Sequence, residues 1–261
     1  MKICGNVKVP LRYEFPLSER VRLLLRLEDS LRRITEQAYE SSPEAHRYAL
    51  VALCELLDLT QRIDLKAEVR SEAERLRHQL RSLRHRPDIR VEVLDGSLES
   101  LERVIHGIDA SAHRTGSRPR DDAWLSLVRG RLRVPGGVTR FDMPSFNFWM
   151  AQDPVWRRER LLDWLADFGS VREGVEVALN LLRACSEVES LQALGGLFQR
   201  PLGMRQPLLV GIDLSPDLTA IPEVSANRIA LLVRFSRFSE TTRPRPCEED
   251  VSFGLAIAYG N

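Results

Sequence analysis

Arginine is the residue type in this chain whose abundance and placement could do chemistry. The only lysines are Lys2, Lys8 and Lys66, so nearly all the cationic charge is guanidinium. A guanidinium presents a planar fork of N–H donors that grips a carboxylate or a phosphate through two bonds at once, which a lysine ammonium does not. Two pairs stand at ordered spacings. Arg62 and Lys66, in QRIDLKAE, lie four apart and are read as sharing one helix face. Arg228 and Arg234, in NRIALLVRF, are read as pointing to one side of a strand, opposite its apolar face. For any one of these residues the alternative is a solvated surface charge, and only convergence in space decides between the two.

The other residue types that do chemistry are not arranged for it. His46, His78, His85, His106 and His113 lie in or beside helical stretches without an HExxH spacing or a matching set of carboxylates, so no metal site is expected. Cys4, Cys54, Cys185 and Cys247 are scattered, which argues against a disulfide framework and a zinc knuckle, and four free thiols are expected. GGLFQRPLG, from Gly195 to Gly203, lacks the Lys-Ser/Thr of a phosphate loop and precedes strands instead of a helix. Asp121 and Asp122 are adjacent, so on a helix they would not face each other, and capping accounts for them better than acid–base work. No GxSxG or Cys-His frame appears. The expectation is a protein without catalysis, cofactor or metal.

Composition narrows the remaining classes. The chain of 261 residues is 43% hydrophobic and 29% charged, which fits an ordinary globular protein with a real core. Its net charge of +1 argues against a general nucleic-acid coat. An arginine-rich nucleic-acid binder is kept as the alternative, and it would need a segregated basic stripe with stacking aromatics or a recognition helix. Met1 to Pro10 has no apolar run of signal-peptide length, and the apolar run that follows, Leu23 to Leu25, breaks at Arg26. A cytoplasmic protein without membrane insertion is expected.

These side chains must be positioned by helices over most of the chain. Val7 to Phe15 reads as a short strand stopped by Pro16, and Ser18 as the cap of a long helix. The stripe of that helix is Leu17, Val21, Leu24, Leu31, Ile34 and Ala38, with Arg22, Arg26 and Arg33 on the opposite side. Ser42-Pro43 starts a second helix, through the almost wholly apolar ALVALCELLDL. Asp64 caps a third, striped by Leu65, Val69, Leu76, Leu80 and Leu83, with Arg75, Arg77, Arg81, Arg84 and Arg86 crowding its end, where positive charge suits the helix dipole, and Pro87 terminating it. Leu98 to Ile108 reads as a short helix, His113 to Arg120 as a polar loop, and Asp121-Asp122 as the start of a helix through AWLSLVRGRL. Asp153-Pro154 opens another helix, and Ser170 with Glu173 reads as a capping box for the last.

After Ser190 the period changes to two. Leu208, Val210, Ile212 and Leu214 alternate, as do Ile229 to Phe235 and Val251 to Tyr259, which is antiparallel sheet with one buried face. Arg237 to Glu249 reads as a long loop. Between the helices, RLRVPGGVTRFDMPSFNFWM (Arg131 to Met150) reads as two β-prone segments around a Pro135-Gly136-Gly137 turn. A lone hairpin is marginal in water, so it is expected to join the C-terminal sheet beside the N-terminal strand. The fold class is therefore α+β: a mainly α-helical bundle domain (16–130 and 153–188) plus a discontinuous antiparallel β-strand domain (1–15, 131–152 and 189–261).

Four blocks in this order, YEFPLSERVRLLLRLED, CELLDLTQRIDLKAE, RLRVPGGVTRFDMPSFNFW and LGGLFQRPL, resemble the ZapD family of bacterial cell-division factors that bundle FtsZ filaments. The resemblance runs from about Tyr13 to the last strand, and the PGG–FD–P–W block is its most specific part. It implies a non-catalytic homodimer with a helical and a β-strand domain, cytoplasmic and at the midcell division site. It also implies a basic surface that binds the acidic C-terminal tail of FtsZ and so promotes Z-ring assembly and septation. Arg26 in LLRLE, Arg62 and Lys66 in RIDLK, and Arg228 and Arg234 in NRIALLVRF match basic positions of the family pattern, and Arg22 joins them as a further member of that surface. Ala123, where a basic residue would fit, and Asn147, where histidine can occur, depart from the pattern. Either change would weaken or move the basic surface.

Overall fold

Short polar side chains set where the helices begin. The computed structural model describes residues 9–84, 90–139, 141–203, 205–238 and 243–260. Lys2, Cys4, Val7, Lys8, His85, Arg86 and Pro87, all singled out above, lie outside them. Strand β1 (Leu11–Pro16) leads into helix α1 (Glu19–Tyr39), where Ser18 Oγ accepts from the Val21 amide at 3.2 Å. Ser42 caps α2 (Pro43–Arg62) through the Ala45 amide at 3.0 Å. Asp64 caps α3 (Leu65–Ser82) through Ala67 at 3.2 Å. Each supplies an acceptor to an amide that the first helical turn leaves unpaired. The expected stripes are buried except at their ends, where Leu17 and Leu83 are half-buried, and Leu27 is added to that of α1.

Helix α4 (Val91–Ala110) is longer than the Leu98–Ile108 expected, because Leu94 continues the buried row of Leu98, Leu101, Ile105 and Ile108 by another turn. The segment read as a polar loop contains one helical turn, α5 (Ser117–Asp121), whose Pro119 is buried. Asp122 caps α6 (Ala123–Leu132) through Leu125 at 2.9 Å.

No hairpin follows α6, which corrects the expectation for 131–152. Arg131 and Leu132 finish α6, and the Pro135-Gly136-Gly137 turn does form, with Gly136 at φ 89° and Gly137 at φ 64°. The segment after it folds as helix α7 (Pro144–Met150), and no strand forms among the described residues of 131–152. The cause is burial. Met143, Phe146 and Trp149 recur every three residues and are all buried, a spacing that one face of a helix satisfies and a strand does not. Trp149 stacks on Trp124 of α6 at 5.7 Å, and Trp124 on Trp164 at 5.9 Å. Tertiary packing outweighs the β-propensity of Val, Thr and Phe here. Arg140 lies outside the described residues.

Asp153 caps α8 (Pro154–Ala166). Helix α9 (Gly169–Ala184) follows so closely that Phe168 O already accepts from the Arg172 amide at 2.8 Å. Ser170 and Glu173 therefore lie inside α9, and the capping box is replaced by this tight junction. Gly174 allows close approach to α3 and α4, since a Cβ there would lie 2.3 Å from Val69 Cγ1 and 3.1 Å from Val104 Cγ1. Within the helical unit, Leu23–Leu179, α3 packs on α4 and α2 against α6 and α8.

The second unit combines Met1–Arg22 with Asn180–Asn261. Its strands are β1 with β2 (Glu189–Ala193), β3 (Leu197–Pro201), β4 (Pro207–Leu214), β5 (Ala220–Ala226), β6 (Ala230–Arg237), β7 (Arg245–Pro246) and β8 (Val251–Tyr259). Among the described residues they form two antiparallel sheets where one was expected. The first has the order β1-β4-β8-β2, and the second β3-β6-β5 with β7 beside β6. The alternating residues meet in one core except Leu208, which is half-buried, and Ile229, which is exposed, with Phe253 5.1 Å from Phe235 and 5.4 Å from Phe198. Strands β4 and β8 bury their second face as well, through Leu209, Gly211, Ala256 and Ala258. Arg12 lies across Gly211, and Arg183 at the end of α9 grips Glu14 by two bonds of 2.8 and 2.7 Å. The stretch read as a long loop from Arg237 doubles back as β7 because Cys247 is a core residue, its amide bonded to Phe235 O at 2.9 Å. Residues 239–242 lie outside the described set.

Candidate partner-binding surface

Most of the arginines are already engaged. In the helical unit Arg32 bonds to Asp29 and Glu36, Arg70 to Asp109 at 2.7 Å, Arg81 to Glu102 at 2.7 Å and Arg84 to Asp95 at 3.3 Å. Arg129 and Arg133 converge on Asp58 at 2.6 and 2.8 Å. Burial would push the Asp58 carboxyl up, but the bonds from both guanidiniums hold it below the usual carboxylate range. Of the arginines crowding the end of α3, Arg81 and Arg84 thus reach carboxylates of α4, and Arg75 reaches Glu72 of α3 itself.

Against that background the six candidate residues divide. Arg22, in the first turn of α1, donates to Glu19 Oε1 at 3.2 Å and to Pro16 O at 3.3 Å. Lys66 Nζ donates to Ser111 Oγ at 2.8 Å, to Ser111 O at 3.1 Å and to His113 O, so its three donors hold the connection between α4 and α5. Arg62 and Lys66 do not share a helix face. Arg62 is the last residue of α2, whereas Lys66 stands in the first turn of α3 beyond the Ile63–Asp64 junction. Arg228 and Arg234 do not share a strand either: Arg228 is in the β5–β6 turn, and only Arg234 is in β6, opposite Glu223 of β5. Arg26, Arg62, Arg228 and Arg234 are exposed, and their side chains make no ion pair or hydrogen bond to the described residues. Ala123 and Asn147 are exposed, at the start of α6 and on α7.

Sequence reasoning missed the surroundings of Arg228. It lines an open cleft of about 690 Å³ with Leu17, Arg205, Gln206, Pro207 and Asn227. The guanidinium carbon of Arg205 sits 4.3 Å from the centre of the Tyr259 ring. The signal was faint: an arginine in the loop between β3 and β4, and a tyrosine at the end of the last alternating strand.

The groups considered for catalysis have structural work or ordinary surroundings. Asp122 caps α6 and also accepts from Arg160 and from Trp164 Nε1, both at 3.1 Å. Gly195 and Gly196 form the β2–β3 turn, where Gly196 O accepts from the Phe235 amide at 2.8 Å. Burial pushes the Cys54 thiol up to about 12 and raises that of Cys185, the reverse of an activated thiolate. Cys54, Cys185 and Cys247 are free thiols, and no group of His, Cys, Asp and Glu among the described residues could hold a metal ion. No described helix is long and apolar enough to cross a membrane.

His46 is buried beside Arg157, which is 2% exposed. Arg157 Nε donates to His46 Nδ1 at 2.9 Å, so the ring proton is on Nε2, which donates to Ala38 O at 3.0 Å. The same guanidinium donates to Met150 O at 2.8 Å and to Gln152 O. Burial first, and the cation of Arg157 second among the lowering effects, depress the imidazole pKa. This neutral histidine braces α2, α7 and α8.

Comparison with known proteins agrees with the resemblance read from the four blocks. A family model described as ZapD, cell division protein, matches residues 25–234. A cell division protein ZapD from Aromatoleum aromaticum is 39% identical over 245 residues, covering 94% of this chain and 96% of that protein. ZapD proteins from Azoarcus sp. (strain BH72) and Nitrosomonas europaea are 36% and 37% identical over 245 residues, again 94% of this chain, with 98% and 94% of their own lengths matched.

Proposed function

The chain belongs to the ZapD family of cell division proteins, and from that premise we propose that it binds the acidic C-terminal tail of FtsZ and cross-links FtsZ filaments as a homodimer. The observation that carries this reading is the contrast among the arginines. Arg26, Arg62, Arg228 and Arg234 stand exposed without a partner among the described residues, in a chain that pairs most of its other guanidiniums with its own carboxylates. An unpaired fork on the surface is free to make charge-assisted bonds to a partner's carboxylates. Lys66, whose three donors are occupied, contributes to the surface through its positive field, and Arg22 through the N–H groups that its bonds to Glu19 and Pro16 leave over.

Each contact with a disordered tail is weak, because the tail loses entropy on ordering. A filament presents many tails, so a protein with two sites gains avidity and can join two filaments. No second copy of RIDLK or NRIALLVRF exists in the chain, so the second site comes from a second chain related by symmetry. This work needs no catalysis and no cofactor, and it places the protein in the cytoplasm at midcell during Z-ring assembly.

Co-sedimentation tests the reading. The protein should pellet with FtsZ polymers and stay in solution with polymers of FtsZ lacking its tail. Equal pelleting with both would overturn tail recognition. A monomeric variant should bind an isolated tail peptide yet fail to bundle polymers in electron micrographs, and bundling by a verified monomer would overturn the homodimer.

A further inference from the structure

We propose that the cleft between the β3–β4 loop and the β5–β6 turn is an anchoring site for an acidic peptide segment, with Arg205 and Arg228 taking carboxylates and Leu17 and Pro207 receiving an adjoining apolar side chain. The inference rests on the tail-binding reading and deepens it, by naming where in the β-strand unit such a segment is gripped and by adding a residue, Arg205, that the sequence blocks did not point to.

The cleft is held by backbone bonds that do not depend on an occupant. Leu202 N donates to Ile229 O at 2.9 Å, tying the β3–β4 loop to the β5–β6 turn. Gly260 N donates to Gln206 O at 2.9 Å, and Leu17 N to Leu208 O at 2.8 Å, fixing the opposite side. The turn itself is closed by Asn227, whose Oδ1 accepts from the amides of Ile229 at 2.8 Å and Ala230 at 2.9 Å. A site with fixed walls loses little entropy on binding.

Its two cations are presented for use. Arg205 lies against the Tyr259 ring, which holds the guanidinium by a cation–π contact and leaves its N–H donors available. Arg228 is exposed on the facing turn, and neither arginine has an ion pair among the described residues. No carboxylate among the described residues lines the cleft. The apolar part is Leu17 and Pro207, and Ile229, 77% exposed, stands in the same turn as Arg228. Positive charge beside apolar surface, in an open cleft of about 690 Å³, suits one or two residues of an extended acidic chain more than a free inorganic anion, which has no use for the apolar wall.

The test titrates two fluorescein-labelled peptides against the full-length protein by anisotropy. One is the C-terminal tail peptide of FtsZ, and the other a synthetic decapeptide of Asp and Glu with one central Leu. Arg205→Glu and Arg228→Glu should each weaken binding by about tenfold or more, as loss of a charge-assisted bond implies. Ile229→Asp should weaken it too, while Arg103→Glu, an equal charge change on α4, should not. If Arg205→Glu and Arg228→Glu bind the tail like the parent while Arg26→Glu or Arg62→Glu does not, the cleft is overturned and tail recognition stands. If the parent ignores the tail yet binds the synthetic peptide in an Arg205-dependent way, the cleft stands and the tail reading falls. Binding of neither peptide overturns both. Displacement of the peptide by inorganic phosphate or by an oligothymidylate of equal charge, at matched concentration, overturns the peptide assignment.

Discussion

Arginines in two regions of this molecule have opposite fates. Where α3 meets α4, and where α6 meets α2, Arg70, Arg81, Arg84, Arg129 and Arg133 each find a carboxylate of the same unit. In the β-strand unit, Arg228 of the β5–β6 turn and Arg234 of β6 find none among the described residues, and Arg205 finds only the face of Tyr259. The residue type is the same, and the neighbours decide. A paired guanidinium has used its fork internally and offers a partner little, whereas an unpaired one keeps its donors for an external acid. The contrast also separates arginines engaged within the fold from those proposed to bind a partner, a division that can be broken by mutation.

The largest effect should come from the most buried arginine. Arg157→Leu strands His46 Nδ1 and the carbonyls of Met150 and Gln152, and should cost about 3 kcal/mol of stability in urea denaturation. Peptide binding by the fraction that remains folded should not change. Loss below about 1 kcal/mol would mean that the buried site relaxes easily.

Reversing an unpaired arginine should do the opposite. Arg228→Glu or Arg234→Glu should weaken tail binding by about tenfold with stability kept within about 0.5 kcal/mol. Binding of the parent should also weaken as salt rises and screens exposed charge beyond roughly 8–10 Å. Tail affinity indifferent to both reversal and salt would dissolve the distinction between the two regions.

A third expectation sharpens the structural side through pH. The folded protein keeps His46 neutral below its ordinary pKa, so the unfolded chain takes up the proton first. Stability from this site should be complete above pH of about 6.5, and lost as pH falls through that unfolded value towards the lower folded one. Urea midpoints should drop between pH 7.5 and 5.5, and by less in His46→Gln. An equal drop in both proteins would assign the effect elsewhere.

The smallest effect belongs to Arg84→Glu. Its ion pair with Asp95 is exposed and its fork is occupied, so tail binding should be unchanged and stability should fall by about 0.5 kcal/mol or less. A clear loss of binding would show that paired arginines also serve the partner.

Much of the architecture was legible because it is local. Ser18, Ser42, Asp64, Asp122 and Asp153 lie next to the amides they cap, and the stripes of α1 to α3 need only a helical period. The alternation in β4, β6 and β8 marks their shared core from the sequence itself. The hairpin expectation failed because Met143, Phe146 and Trp149 follow a three-residue spacing that local β-propensity masks, and the stack of Trp149 on Trp124 makes that spacing pay.

By itself the sequence determined the α+β class, the starts of α1, α2, α3, α6 and α8, the strand alternation and the ZapD family, all of which depend on patterns of a few residues or on matched blocks. Only the tertiary structure decided which arginines are spent and which are free. The carboxylate for Arg129 is 71 residues away at Asp58, that for Arg70 is 39 away at Asp109, and that for Arg183 is 169 away at Glu14. The cleft around Arg228 likewise gathers Leu17, Arg205 and Arg228 from distant parts of the chain. Charge pairing acts over a few ångströms of space, so the separation in sequence of two opposite charges says little about whether they meet until the chain has folded.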